Sequence, residues 1–165
     1  MILDVTKPLT EVGCEEHHFW KSDIDTVSYQ GNSANISWNG DIQIKAKNVS
    51  KSEALLNISG ECVYSLPCDR CLKEVEIVQS IEFEHSVLKD GSDKTQEDDE
   101  YTIGHEVNVS ELIIKELLLN WPDKVLCKDD CKGLCPVCGS DLNSGTCGCD
   151  TFVPDPRWAK LKEFM

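Results

Sequence analysis

Cations are scarce in this sequence: 16 Lys and Arg stand against 30 Asp and Glu, a formal net charge of −14. That balance argues against a broad phosphate-tracking surface, which needs clustered Lys and Arg. Long apolar runs are absent as well. The longest apolar cluster, in LIIKELLLNW, is interrupted by Lys115 and Glu116, and nothing approaches the roughly 20 apolar residues that cross a bilayer. The first residues, MILDVTKPLT, lack a basic stretch followed by an apolar one, so no secretory leader is expected. A phosphate loop, a nucleophile elbow and a helical HExxH are missing too, and with them the familiar catalytic frameworks.

What is present is a globular balance, 40% hydrophobic and 28% charged over 165 residues, together with ten cysteines. Without a leader the expected compartment is the cytoplasm, where thiols stay reduced and clustered cysteines bind metal more often than they pair. The acidic surface is expected to attract basic proteins and to repel RNA.

Alternation dominates residues 34–87. Ile36, Trp38, Ile42, Ile44 and Ala46 share one parity, and so do Leu56, Ile58, Cys62, Tyr64 and Leu66. Val75, Ile77, Ile81, Phe83 and Val87 make a third set. Half-buried strands read this way, and three in succession predict an antiparallel meander or a partly closed barrel. Asn39-Gly40 is a two-residue hairpin signal. Parity running straight through it fits equally a bulge or kink in one long strand. Upstream, EHHFWKSDI reads as a strand and DVTKPL as a short strand or a turn. Residues 88–100 lose the apolar period and carry a charge run, which predicts an acidic loop. Ser110 offers an N-cap for one long packed helix over 110–121, with Leu112, Ile113, Leu117 and Leu118 on its apolar face, flanked by Ile114 and Leu119. Pro122 stops it. Asp155 and Pro156 predict a short C-terminal helix. The fold class is therefore α+β and mainly β. A β domain covers 1–122, and a cysteine-rich tail covers 123–165.

Zinc held by thiolates takes four ligands in a tetrahedron. Cys135-Pro136-Val137-Cys138-Gly139 has the form of a zinc knuckle, with Gly139 free to take a positive φ and its N–H able to point at sulfur. Cys147-Gly148-Cys149 places two more sulfurs on one side of an extended segment. Cys135, Cys138, Cys147 and Cys149 thus make one site. Cys68, Cys71, Cys127 and Cys131 are left for a second, and a rival grouping joins Cys127 and Cys131 to Cys135 and Cys138. One zinc ion is expected and a second has ligands available. An all-thiolate set leaves no open position, so the metal is expected to be structural and the protein not an enzyme, with no small-molecule substrate. Cys68 and Cys71 also have the spacing of a thiol redox pair, which would require a thiolate titrating well below about 8.5. Cys62 shares a parity with core residues and reads as structural, as does Cys14.

LPCDRCL at 66–72, the helix ELIIKELLLNWP, LCKDDCKGLCPVCGSDLN, CGC and DPRWAKLK occur in an order that resembles the YceD family, the bacterial large ribosomal RNA subunit accumulation proteins. The likeness runs from about Ala34 onward. It implies a cytoplasmic protein supporting accumulation of large-subunit ribosomal RNA and ribosome assembly, with no catalytic residues to carry over. Some relatives lack much of the C-terminal cysteine cluster, which makes Cys68, Arg70 and Cys71 the better candidate for a shared functional surface. The expected partner is a basic ribosomal protein or assembly factor, attracted by Asp93, Glu97, Asp98, Asp99 and Glu100. In the alternative, rRNA itself is bound by a zinc-knuckle surface containing Lys128, Lys132, Arg157, Trp158, Lys160 and Lys162. No membrane is involved in either reading.

Overall fold

The computed structural model describes residues 1–29, 31–89 and 101–150. Most of the acidic loop and the whole C-terminal helix expected from the sequence, including Asp98, Asp99, Glu100, Arg157 and Trp158, lie outside the described residues.

The chain divides into two compact units. The first comprises Met1–Leu66 and Glu76–Asp123, the second Pro67–Val75 and Lys124–Met165. Residues 67–75 therefore group with the tail, not with the strands that flank them in sequence.

Nine strands and two helices follow in order among the described residues: β1 (Ile2–Asp4), α1 (Thr6–Thr10), β2 (Glu15–Trp20), β3 (Thr26–Tyr29), β4 (Asn32–Trp38), β5 (Ile42–Ser50), β6 (Glu53–Pro67), β7 (Glu74–Leu88), β8 (Thr102–Ile103), β9 (Glu106–Asn108) and α2 (Val109–Leu119). The larger sheet has six strands in the order β2-β5-β6-β4-β3, with β7 also paired to β6; β1, β9 and β8 form a small second sheet. The architecture is mainly β, antiparallel and open, so of the two alternatives the closing barrel is not the one realised. No helix among the described residues is long and apolar enough to cross a membrane.

The three same-parity sets face inward, as alternation demands. Leu56, Ile58, Cys62, Tyr64 and Leu66 are all buried, as are Ile36, Ile42, Ile44 and Ala46. On β7 the odd residues turn in, with Ile81 and Val87 fully covered.

Asn39-Gly40 is not a hairpin. β4 and β5 both pair with β6 and lie in line along it: Trp38 faces Cys62 and Gln43 faces Ser59. Four residues, 39–42, thus stand opposite two, 60–61. An insertion of two preserves parity, which is why the alternation crosses the break unchanged. Gly40 takes the positive φ of 98° that the bend requires. Asn39 pins it, donating its N–H to the Glu61 carbonyl (2.9 Å) and its amide to the Glu61 carboxylate (2.7 Å).

Two expectations for α2 need correction. The N-cap is Asn108, whose Oδ1 accepts the Glu111 N–H at 3.4 Å. The helix starts directly out of β9, so the last strand residue is the one placed to cap it. Ser110 instead pairs through its hydroxyl with the terminal amine of Met1. Leu119 is 71% exposed and lies off the packed face, which is made by Val109, Leu112, Ile113 and Leu117. Just past the helix, Trp121 stacks on Tyr64 of β6 (5.7 Å between centroids) and contacts Tyr29 (5.9 Å), fixing the helix end to the sheet.

Candidate metal centres

The connection between β6 and β7 carries the first centre. Cys68 donates its N–H to Lys73 O (2.8 Å), and Leu72 donates to Cys68 O (2.9 Å). This closes a tight turn that projects both sulfurs. The turn forces Leu72 to φ 62°, a left-handed conformation that L-residues with large side chains rarely adopt. Residues 125–131 are brought alongside by Asp69, whose N–H donates to Val125 O (2.9 Å) while its carboxylate accepts the Val125 N–H (2.7 Å). Cys127 and Cys131 then meet the turn, with Cys71 Sγ to Cys127 Sγ at 3.4 Å and Cys68 Sγ to Cys131 Sγ at 3.9 Å. Arg70 is a strut of this arrangement. Its guanidinium donates to Cys131 O (2.6 Å) and its carbonyl accepts Leu134 N–H (3.1 Å). Val75, Leu126 and Leu134 pack against the buried Cys68, Cys71 and Cys131.

The second centre repeats the turn. Cys135 donates to Ser140 O (2.8 Å) and Gly139 donates to Cys135 O (2.8 Å), the same two bonds at the same spacing. Gly139, at φ 72°, occupies the position that Leu72 holds in the first turn. Its N–H goes to a carbonyl and not to sulfur, contrary to the expectation above. The Cys138 sulfur is instead reached by Ser140, through its hydroxyl at 3.1 Å and its N–H. Cys147 and Cys149 come from the arm with Gly148 at φ 72°. Asp141 secures the intervening loop through Lys73 (2.7 Å) and Asn143, and its carboxyl is held down at about 2 by those contacts.

The structure thus brings together Cys68, Cys71, Cys127 and Cys131 in one group and Cys135, Cys138, Cys147 and Cys149 in another; within each, the sulfurs lie within 4.8 Å of one another. The rival grouping of Cys127 and Cys131 with Cys135 and Cys138 is not formed. A Zn–S bond of about 2.3 Å gives tetrahedral edges of about 3.8 Å, so both sets are the right size for one ion.

Their electrostatics also call for a cation. Burial pushes the Cys68 thiol up, but N–H groups of Arg70, Cys71 and Cys127 outweigh it and bring it to about 6. Burial of Cys131 is likewise outweighed, by Asn143 and the Gly133 N–H, which leave it lowered. Their neighbours move the other way: Cys127 is pushed up to about 12 by Cys71 and by burial. In the second set the Ser140 hydroxyl and N–H bring Cys138 to about 6, while Cys138 and Cys147 push Cys149 up to about 12. Four thiolates this close cannot all ionise unaided; a divalent ion at the centre removes the conflict.

Of the predicted partner-binding residues, Arg70 is committed within the unit, and Asp93, Glu97, Asp98, Asp99, Glu100, Arg157, Trp158, Lys160 and Lys162 lie outside the described residues. Lys128 is paired with Asp130 at 3.7 Å. Sequence reasoning missed Asp69, Asn143 and Gly133. Only Gly133 carries a signal, as a glycine between two cysteine motifs; its φ is 75° and a Cβ there would meet Arg70 O at 2.9 Å. Cys14 is half-buried, and neither it nor His17 or His18 belongs to a metal-ligand group among the described residues.

Residues 56–165 match the model of the family described as "Large ribosomal RNA subunit accumulation protein YceD". Among curated proteins, the chain is similar to the uncharacterized protein Mb2951c of Mycobacterium bovis and the uncharacterized protein Rv2926c of Mycobacterium tuberculosis. Each is 33% identical over 108 residues, covering 64% of this chain and 50% of the relative. The chain therefore spans about half the length of the curated relatives it matches. No solved structure matches it.

Proposed function

The chain belongs to the YceD family, and we propose that it supports accumulation of large-subunit ribosomal RNA by binding a basic ribosomal protein or assembly factor, without catalysing a reaction. Charge partition carries this reading. Of the 16 Lys and Arg and 30 Asp and Glu, the first unit holds 8 cations and 22 carboxylates, and the second holds 8 of each. The whole excess of carboxylates over Lys and Arg sits on the β unit, and a cationic protein is the partner that such a field steers in. Asp93, Glu97, Asp98, Asp99 and Glu100 are the densest part of it. The protein works inside the cell, in the compartment where its thiols remain reduced.

Both four-cysteine groups hold zinc in this reading. Tetrahedral all-thiolate sets suit it, and they leave no position for a reactive water. Each filled site has a formal charge of about −2, which adds to the repulsion of RNA. The direct RNA-binding reading predicts a gel shift with rRNA fragments from the purified chain alone. The redox reading requires Cys68 and Cys71 to be free of metal and Cys68 to react as a thiolate. It predicts that Cys68→Ser abolishes activity in thiol exchange.

The test is binding of the zinc-loaded chain to purified basic large-subunit proteins and to rRNA fragments across a salt series. The proposal expects protein binding that weakens steeply with salt and weakens further when the five loop carboxylates are neutralised. RNA binding without protein binding overturns it.

A further inference from the structure

We infer that Cys135, Cys138, Cys147 and Cys149 form an exchangeable, oxidation-sensitive metal site, while the Cys68, Cys71, Cys127 and Cys131 site keeps its ion. The inference rests on the zinc reading of both groups and adds a regulation to one of them.

The two groups differ in cover, not in ligand type. In the first, Cys68, Cys71 and Cys131 are buried and only Cys127 is exposed. In the second, Cys135 alone is buried; Cys138 is exposed, and Cys147 and Cys149 are half-buried. Val75, Leu126 and Leu134 give the first group apolar cover.

They differ also in what must break for a ligand to leave. The first group joins segments 56 residues apart. The two Asp69–Val125 bonds, the Arg70–Cys131 bond and the Arg70–Leu134 bond all hold those segments together. Withdrawing Cys127 or Cys131 means opening that lattice. The second group lies within residues 135–149, and its Cys147-Gly148-Cys149 arm belongs to no helix or strand. That arm can swing out while the Cys135–Ser140 turn stays closed.

Exposure gives an oxidant access to Cys138, and a thiolate with access is the one that reacts. The Cys149 sulfur lies within 4.8 Å of it and serves as the resolving thiol. With hydrogen peroxide as oxidant, the Cys138 thiolate attacks one oxygen, the O–O bond breaks, hydroxide leaves and a sulfenic acid forms. The Cys149 thiolate then attacks that sulfur and displaces a second hydroxide, giving the disulfide. Two electrons pass from the two sulfurs to the peroxide. The zinc ion, left with two ligands, dissociates, and the disulfide replaces it as the tie within residues 135–150.

The experiment treats the reduced, zinc-loaded full chain with hydrogen peroxide and follows zinc release with a chromogenic chelator, with disulfides mapped by mass spectrometry. The expected result is two zinc ions at the start. One is released at least tenfold faster than the other, together with a Cys138–Cys149 disulfide. Cys149→Ser should abolish the disulfide, and Cys147→Ser should remove the fast phase while keeping one bound zinc. Release of both ions at one rate, earlier release from the Cys68 group, or a fast phase surviving in Cys147→Ser overturns the inference and leaves the zinc reading standing. A reduced chain that holds no zinc overturns that reading, and the inference with it.

Discussion

Leu56 and Ile58 in the β unit are as deeply buried as Cys68 and Cys131 in the cysteine unit, yet the two burials do different things. The β unit covers rows of aliphatic side chains drawn from several strands, and water exclusion stabilises it. Around Cys68 the apolar company is three half-buried side chains, Val75, Leu126 and Leu134. What collects there is four thiols whose ionisation is mutually opposed, an arrangement that a bound cation would relieve. One unit is held by packing; in the proposed reading the other is held by coordination. A similar split appears in the Asp, Glu, Lys and Arg balance, which is −14 in the packed unit and zero in the cysteine unit.

Metal removal breaks this comparison hardest. Structural zinc contributes on the order of 10 kcal/mol per ion to small domains that fold around it. Stripping the chain with a strong chelator is expected to collapse the amide dispersion of residues 124–150 and leave that of the strands. NMR of one labelled sample reads both at once. The converse substitution is Leu56→Ala, which should lower the unfolding free energy of the β unit by about 2–5 kcal/mol without changing metal content.

Backbone strain gives finer tests within the cysteine unit. Gly133→Ala puts a Cβ 2.9 Å from Arg70 O at a φ of 75°, and should destabilise the first centre by about 1–3 kcal/mol, read as a lower midpoint in denaturant. At the matching turn positions, Leu72 and Gly139, the expectation is asymmetric. Leu72→Gly removes a left-handed leucine and should stabilise by up to about 1 kcal/mol, whereas Gly139→Leu should destabilise.

A further effect, confined to alkaline pH, belongs to Cys62. Burial, with Glu61 adding to it, pushes its thiol up to about 11 from the ordinary 9.0. A raised folded value means the unfolded chain ionises first. The contribution of Cys62 is therefore whole below pH 9 and is lost as pH rises through about 11. Cys62→Val should flatten that part of the stability–pH curve relative to the native chain, measured by urea titration at each pH.

Much of the larger sheet is legible because strand burial has a period of two, and the register through Asn39-Gly40 happens to preserve it. The meaning of that dipeptide is not legible, because the same two residues serve a tight hairpin and a two-residue insertion; only the pairing of Trp38 with Cys62 and of Gln43 with Ser59 decides. Spacing leaves two groupings of the eight clustered cysteines open, and only the fold shows which sulfurs lie together. The struts are invisible in sequence. Arg70 reads as a surface cation, and its engagement with Cys131 O depends on a segment about sixty residues away. Leu72 gives no hint of a positive φ, since leucine almost never signals one. Asn108 caps α2 because β9 delivers it there, a tertiary fact that local propensity does not distinguish from a cap at Ser110.

The central claim is that coordination, not packing, holds the cysteine unit. Elemental analysis of the reduced full chain, with reactive thiols counted before and after chelation, tests it most directly. The account predicts two zinc ions per chain and eight thiols that become reactive only when the metal is removed. A metal-free chain whose clustered thiols react freely while residues 124–150 stay folded would contradict it.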